Sequence, residues 1–133
     1  MKKLIIVSLV VVAALAAGCA SVPCAPPMDK ATCQVNYYTG LAEQVDATCQ
    51  GLLAANPQIG GSARQWIVAY HNALPNLKAA ALDGLAAYEA GTSKDYLTAL
   101  NALIAMYTQV NAVVVANGQP SPLAAAKLRM PAQ

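Results

Sequence analysis

Three stretches of this chain place apolar side chains at alternating steps of three and four, and that spacing leaves few folds open. In the first, Val35, Tyr38, Ala42, Val45, Cys49 and Leu52 fall on one stripe of a helix, which Leu41 and Leu53 widen. In the second the stripe runs through Ile67, Tyr70, Leu74, Leu77, Ala81, Leu85 and Tyr88. The third carries Tyr96, Leu100, Leu103, Tyr107, Val110 and Val114, with Leu97 and Ile104 beside them. No strand-like alternation of useful length occurs. The expected fold is therefore all-α: a small antiparallel three-helix bundle, up-down-up, over 29–118, with a short C-terminal helix in 119–133.

Helix limits follow from the residues between the stripes. Asp29 can cap a first helix over 29–55, and Asn56-Pro57-Gln58-Ile59-Gly60-Gly61 reads as a turn. Ser62 with Gln65 has the spacing of a capping box and opens a second helix over 62–90. Gly91 ends it, Thr92 with Asp95 makes another such pair for a helix over 92–117, and Gly118 closes that one. Ser121 caps the last helix, with Pro122 at its first position. Two positions threaten continuity. Gly40 is a weak point in the first helix. Pro75 leaves the carbonyl of His71 without its partner and is expected to kink or briefly break the second.

Alanine dominates these helices, whereas the chain has no Phe and one Trp. Alanine favours helix but buries little area, so the core should be thin and closely packed. Six tyrosines and Trp66 supply the bulk. Tyr37 and Trp66 fall off the best stripes and are expected at the surface, where a shared face would mark a partner site.

The first nineteen residues have a different logic. Met1-Lys2-Lys3 is a positive start, Leu4 to Ala17 an apolar run, and Leu15-Ala16-Ala17-Gly18-Cys19 a small-residue ending, which together make a secretory signal over 1–18. A bilayer span takes about 20 apolar residues, and this run is shorter before the chain turns polar and proline-rich. The ending in cysteine resembles the lipobox of bacterial lipoproteins. The resemblance implies that the Cys19 thiol is lipidated, the signal cleaved before it and the new terminus acylated. It implies a membrane partner held through lipid; Ala20 and Ser21, with no Asp after the cysteine, point to the outer membrane on its periplasmic side. Several acyl chains on one residue suffice for stable anchoring, where a single chain does not. Residues 19–28, rich in proline, read as an extended spacer.

Cleavage leaves 115 of 133 residues and takes Lys2 and Lys3 with it, so the formal charge of +2 falls to zero. The remaining Lys and Arg are scattered singly, which disfavours nucleic acid and anionic lipid headgroups as partners.

With Cys19 lipidated, Cys24, Cys33 and Cys49 remain in a compartment that permits disulfides. Cys33 and Cys49 are sixteen residues apart, about 24 Å along a continuous helix, and cannot bridge within one. Cys24 with Cys33 is the preferred pair. A turn at Gly40 would instead allow Cys33 with Cys49. Either way one thiol is left over, free to pair with another molecule as a disulfide dimer.

Enzymatic chemistry finds little support. The cysteines and His71, the lone histidine, match no zinc spacing, and no phosphate loop or nucleophile elbow occurs. No cofactor is implied. Cys49 with His71 is the one conceivable nucleophile pair. The sequence supports a lipid-anchored, non-catalytic structural or interaction module docking an unidentified envelope protein. The alternative is a periplasmic carrier of an apolar ligand held between the alanine-rich helices, which needs an enclosed pocket of roughly 300 Å³ or more.

Overall fold

The computed structural model describes residues 29–129, which form four helices and no strand. They are α1 (Lys30–Ala55), α2 (Gly61–Glu89), α3 (Leu97–Ala116) and α4 (Pro122–Arg129). The all-α bundle is as the spacing predicts. The expected signal over 1–18, Cys19, Cys24 and the expected spacer lie outside the described residues.

α1 starts on Asp29, whose carboxylate accepts from the Thr32 N–H at 3.4 Å, and runs through Gly40 without a break. The stripe explains why: Val35, Ala42, Val45 and Cys49 are all fully buried, so packing on both sides of Gly40 outweighs its intrinsic cost. α2 and α3 make the largest interface, and α1 lies against both. Ile67, Tyr70, Ala81, Leu103, Val110 and Val114 complete a core in which alanine lets the helices approach. α4 folds back chiefly along α1. The Asn111 side chain fastens its start by accepting from Ser121 Oγ at 2.8 Å and from the Leu123 N–H at 3.0 Å.

Three local expectations need correction. α2 is capped by Gly60 with no side-chain bond, so Ser62 and Gln65 form no capping box; both are exposed. The turn is held instead by Arg64, which donates to the carbonyls of Ile59 and Pro57 at 3.1 and 2.8 Å. α3 begins at Leu97, well after Thr92. Asp95 itself does the capping: its carboxylate accepts from the Leu97 and Thr98 N–H groups at 2.9 and 3.1 Å and from the Thr98 hydroxyl, and these bonds hold the carboxyl below its ordinary range. Thr92 turns back to α2, donating to the Ala87 carbonyl at 3.0 Å. At Pro75, where a kink or a short break is expected, α2 shows no break. His71 and Pro75 are both exposed, so the carbonyl freed by the missing N–H faces the wet side of the helix, and packing of Tyr70 and Leu74 holds the flanks. At the ends of α2 and α3, Gly91 and Gly118 take φ of 75° and 82°, the left-handed cap that glycine adopts without penalty.

Tyr70 locks α2 to α1. Its hydroxyl donates to the Ala42 carbonyl at 2.5 Å in a fully buried setting. Tyr70→Phe is expected to lower stability by about 1 kcal/mol, the net worth of one buried hydrogen bond, with little change in packing. A urea midpoint that stays put would show the bond contributes nothing. Among the described residues the one buried side-chain polar atom without a partner is the Thr108 hydroxyl.

Candidate functional site

The groups that carry any chemistry gather where α1 faces α2. Glu43 and Asp46 sit three residues apart on α1, and His71 and Lys78, two turns apart, face them from α2. His71 Nδ1 lies 2.9 Å from Asp46 Oδ2, and Lys78 Nζ donates to Glu43 Oε1. Both ends of the Lys78 pair are well exposed, so it aligns the helices more than it stabilises them. The half-buried Asp46 carboxylate sits between this wet edge and two buried groups, Cys49 and Tyr70.

Cys49 and His71 do not form the nucleophile pair the sequence allows. The imidazole is exposed and turned to Asp46, whereas Cys49 is completely buried. Burial, and then the negative charge of Asp46, push the thiol up to about 12. A nucleophilic cysteine needs the opposite setting, an accessible thiolate. Alkylation of the native protein at pH 8 is therefore expected to leave Cys49 unmodified for hours, with full reaction on unfolding in urea. Rapid native labelling, read by intact mass, would contradict this. The same burial removes Cys49 as the thiol for a disulfide dimer.

No family model, curated protein or solved structure matches the chain. Function must therefore be argued from the geometry. Cys33 is disulfide-bonded and Cys49 is free, so the Cys33 to Cys49 pairing is not made, in keeping with an unbroken α1. The Cys33 partner lies outside the described residues.

Tyr37 and Trp66 are not the exposed pair expected from their positions off the stripes. Both are partly buried against the core. Tyr37 meets Tyr38 edge to face with ring centroids 5.2 Å apart, and the pair stands beside Tyr107 of α3. Trp66 lies in the first turns of α2, at the end where α1 finishes, whereas Tyr37 is near the start of α1. The antiparallel pairing keeps them apart, so they mark no common surface. An aromatic ring is wide enough to reach a seam from a flanking position, which spacing alone does not reveal.

A second feature is an open depression at the opposite end, lined by Asp29, Tyr88, Glu89, Gly91, Ser93 and Lys94. Tyr88, expected in the seam, is 38% exposed and packs on Tyr96 with centroids 4.8 Å apart. Glu89 is held by the Thr32 hydroxyl at 2.7 Å, and the Tyr96 hydroxyl donates to Gln34 Oε1 at 2.6 Å. These bonds fasten the ends of α2 and α3 to the start of α1. A charged rim open to water does not suit an apolar cargo. Among the described residues no three metal-ligating side chains converge.

Of the other exposed large apolar side chains, Val115 lies on α3, Leu128 on α4 and two on α2. On the outer side of α2, Val68, Asn72, Pro75, Ala79, Leu82 and Ala86 repeat the step of four and three, and all are exposed. Val68 and Leu82 are the large members, at 44% and 38% exposure. Asp83 is adjacent, but the row itself carries no charge. Sequence reading passed over this row because its alanines and asparagine make it less apolar than the buried stripe.

Proposed function

We propose that this chain is a lipid-anchored envelope protein, attached through Cys19 to the outer membrane on its periplasmic side, whose helical bundle serves as a non-catalytic docking module. The observation that carries the reading is the exposed row on α2. A second seam at helical spacing, weakly apolar and free of charge, suits the side of another protein better than it suits water. The buried, protonated thiol of Cys49 and its separation from His71 favour a structural role over nucleophilic chemistry. In this reading lipid confines the module to two dimensions, the spacer gives reach, and α2 presents the contact.

Site-specific photo-crosslinking in intact cells tests it. A photoreactive residue at Val68 or Leu82 is expected to capture a discrete envelope protein, while the same residue at Ala47, exposed on α1, captures none. Equal capture from Ala47, or no capture from α2, would overturn the docking role.

A further inference from the structure

We infer that the partner of the α2 row is a second copy of this chain, with the two α2 helices packed antiparallel about a two-fold axis level with Leu77. The choice of partner rests on the docking reading of that row. An interface made of one patch used twice must be complementary to itself under a two-fold rotation. The exposed row Val68, Asn72, Pro75, Ala79, Leu82 and Ala86 has steps of four, three, four, three and four, so it superimposes on its own reverse. In that register Val68 faces Ala86 of the second copy, Leu82 faces Asn72, and Pro75 faces Ala79.

Every layer then sets a larger side chain against a smaller one. The two large apolar members, Val68 and Leu82, each meet a short side chain, and the Pro75 ring meets an alanine. Two helices so arranged stay evenly spaced along the seam. Laid parallel, the same row stacks Leu82 on Leu82 between alanine pairs at Ala79 and Ala86, which props the helices apart over gaps.

The flanks of the row fit the same register. Asp83 comes opposite Ala69 of the second copy. The two Asp83 carboxylates stand about 20 Å apart along the seam, roughly twice the screening length at 0.1 M salt. Exposed Asn76 comes opposite its own copy, and an amide carries both a donor and an acceptor with which to pair with itself. Lys78, near the axis on the other flank, is held by Glu43 of its own bundle, and His71 is turned to Asp46. The copies therefore bring neutral pairs together there, and no unpaired like charges meet.

One helix from each copy buries on the order of 1,000 Å² in total, the low end for a specific contact. Copies held on one membrane meet in a plane, which raises their effective concentration and lets a contact of this size form.

Photo-crosslinking of the full chain in intact cells tests the pairing. A photoreactive residue at Leu82 is expected to give an adduct of twice the mass of the chain, with the link mapped by peptide sequencing to the segment from Val68 to Pro75 of the second copy. A link to the Leu82 segment of the second copy would overturn the antiparallel register. An adduct with a different protein would overturn this inference and keep the docking role, whereas no adduct would overturn both. Ala79→Glu places a carboxylate in each central layer and is expected to cut the self-adduct by about tenfold or more, because each charge is left buried without a partner. Ala79 is exposed in the single bundle, so the helical circular dichroism should not change. Should that variant lose its helical signal, Asn72→Lys is read in its place. A self-adduct of undiminished yield in the folded variant would overturn the inference.

Discussion

The bundle is expected to lose about 5 kcal/mol of stability between pH 8 and pH 11, enough to unfold a domain of ordinary stability at the upper end. Three buried groups drive this: Cys49, Tyr70 and Tyr107, all held well above their ordinary values of 9.0 for the thiol and 10.0 for the phenols. Burial is the main cause in each. Asp46 adds to it at Cys49 and Tyr70, and Tyr38 and Tyr37 add to it at Tyr107. The sign follows from proton counting. Above pH 9 the unfolded chain releases these protons while the folded one keeps them, so the unfolded state binds fewer and stability falls as pH rises. It is fully present below the unfolded values and disappears as pH climbs toward the folded ones. Each group contributes about 1.4 kcal/mol per pH unit once its unfolded form ionises. Urea midpoints by far-ultraviolet circular dichroism at pH 8, 10 and 11 should show the slope, and Tyr70→Phe should make it shallower by one group. A midpoint independent of pH over that range would mean that these side chains meet water in the folded state.

The alkaline sensitivity is the cost of building a core from alanine and tyrosine, and that choice was visible in the sequence. With no Phe and one Trp, the seam positions at Tyr38, Tyr70 and Tyr107 had to carry bulk with a hydroxyl attached. Helix number, direction and seam were legible because steps of three and four are a global property of each helix, insensitive to any single residue. What was not legible depends on local competition. Thr92 and Asp95 have capping-box spacing, but Asp95 wins as the cap because its carboxylate accepts three bonds from Leu97 and Thr98. Pro75 predicts a kink or a short break; of the two there is no break, because Pro75 sits on the outer face where the lost bond is solvated and the inner residues still pack. At the candidate site, Glu43 and Asp46 stand three apart on the polar side of α1, a spacing that by itself indicates only a solvated face. Their partners His71 and Lys78 also lie on one face of α2, two turns apart, so the cross-pairing was present in the pattern once the helices are taken as antiparallel neighbours. The bonded state of Cys33 was not readable, because spacing limits which cysteines can meet and never states which do.

Replacing Cys19 by Ser is expected to move the protein from the membrane pellet to the soluble fraction almost completely, while its helical signal is unchanged. Each buried methylene contributes roughly 0.8 kcal/mol, so several acyl chains together hold a protein that one chain holds only marginally; serine takes none of them. The experiment also separates two ways of staying in a bilayer. Among the described residues, Leu97–Ala116 is long and apolar enough to cross a membrane by length and composition, and it carries no charge. That helix, however, buries Leu100, Leu103, Tyr107, Val110 and Val114 against the rest of the bundle and forms its largest interface with α2. Inserting it into lipid would strip the seam of α2 from its partner and expose Tyr70 and Ile67, so its apolar character is that of a core helix. If α3 were nevertheless the membrane element, the Cys19→Ser protein would resist extraction by alkaline carbonate and stay in the pellet. If lipid on Cys19 is the attachment, the serine variant is soluble, and the native protein alone shows the added mass of diacylglycerol and a fatty acid. A native product of unmodified mass would remove the anchor, and with it the reason for a spacer and a docking face at the membrane.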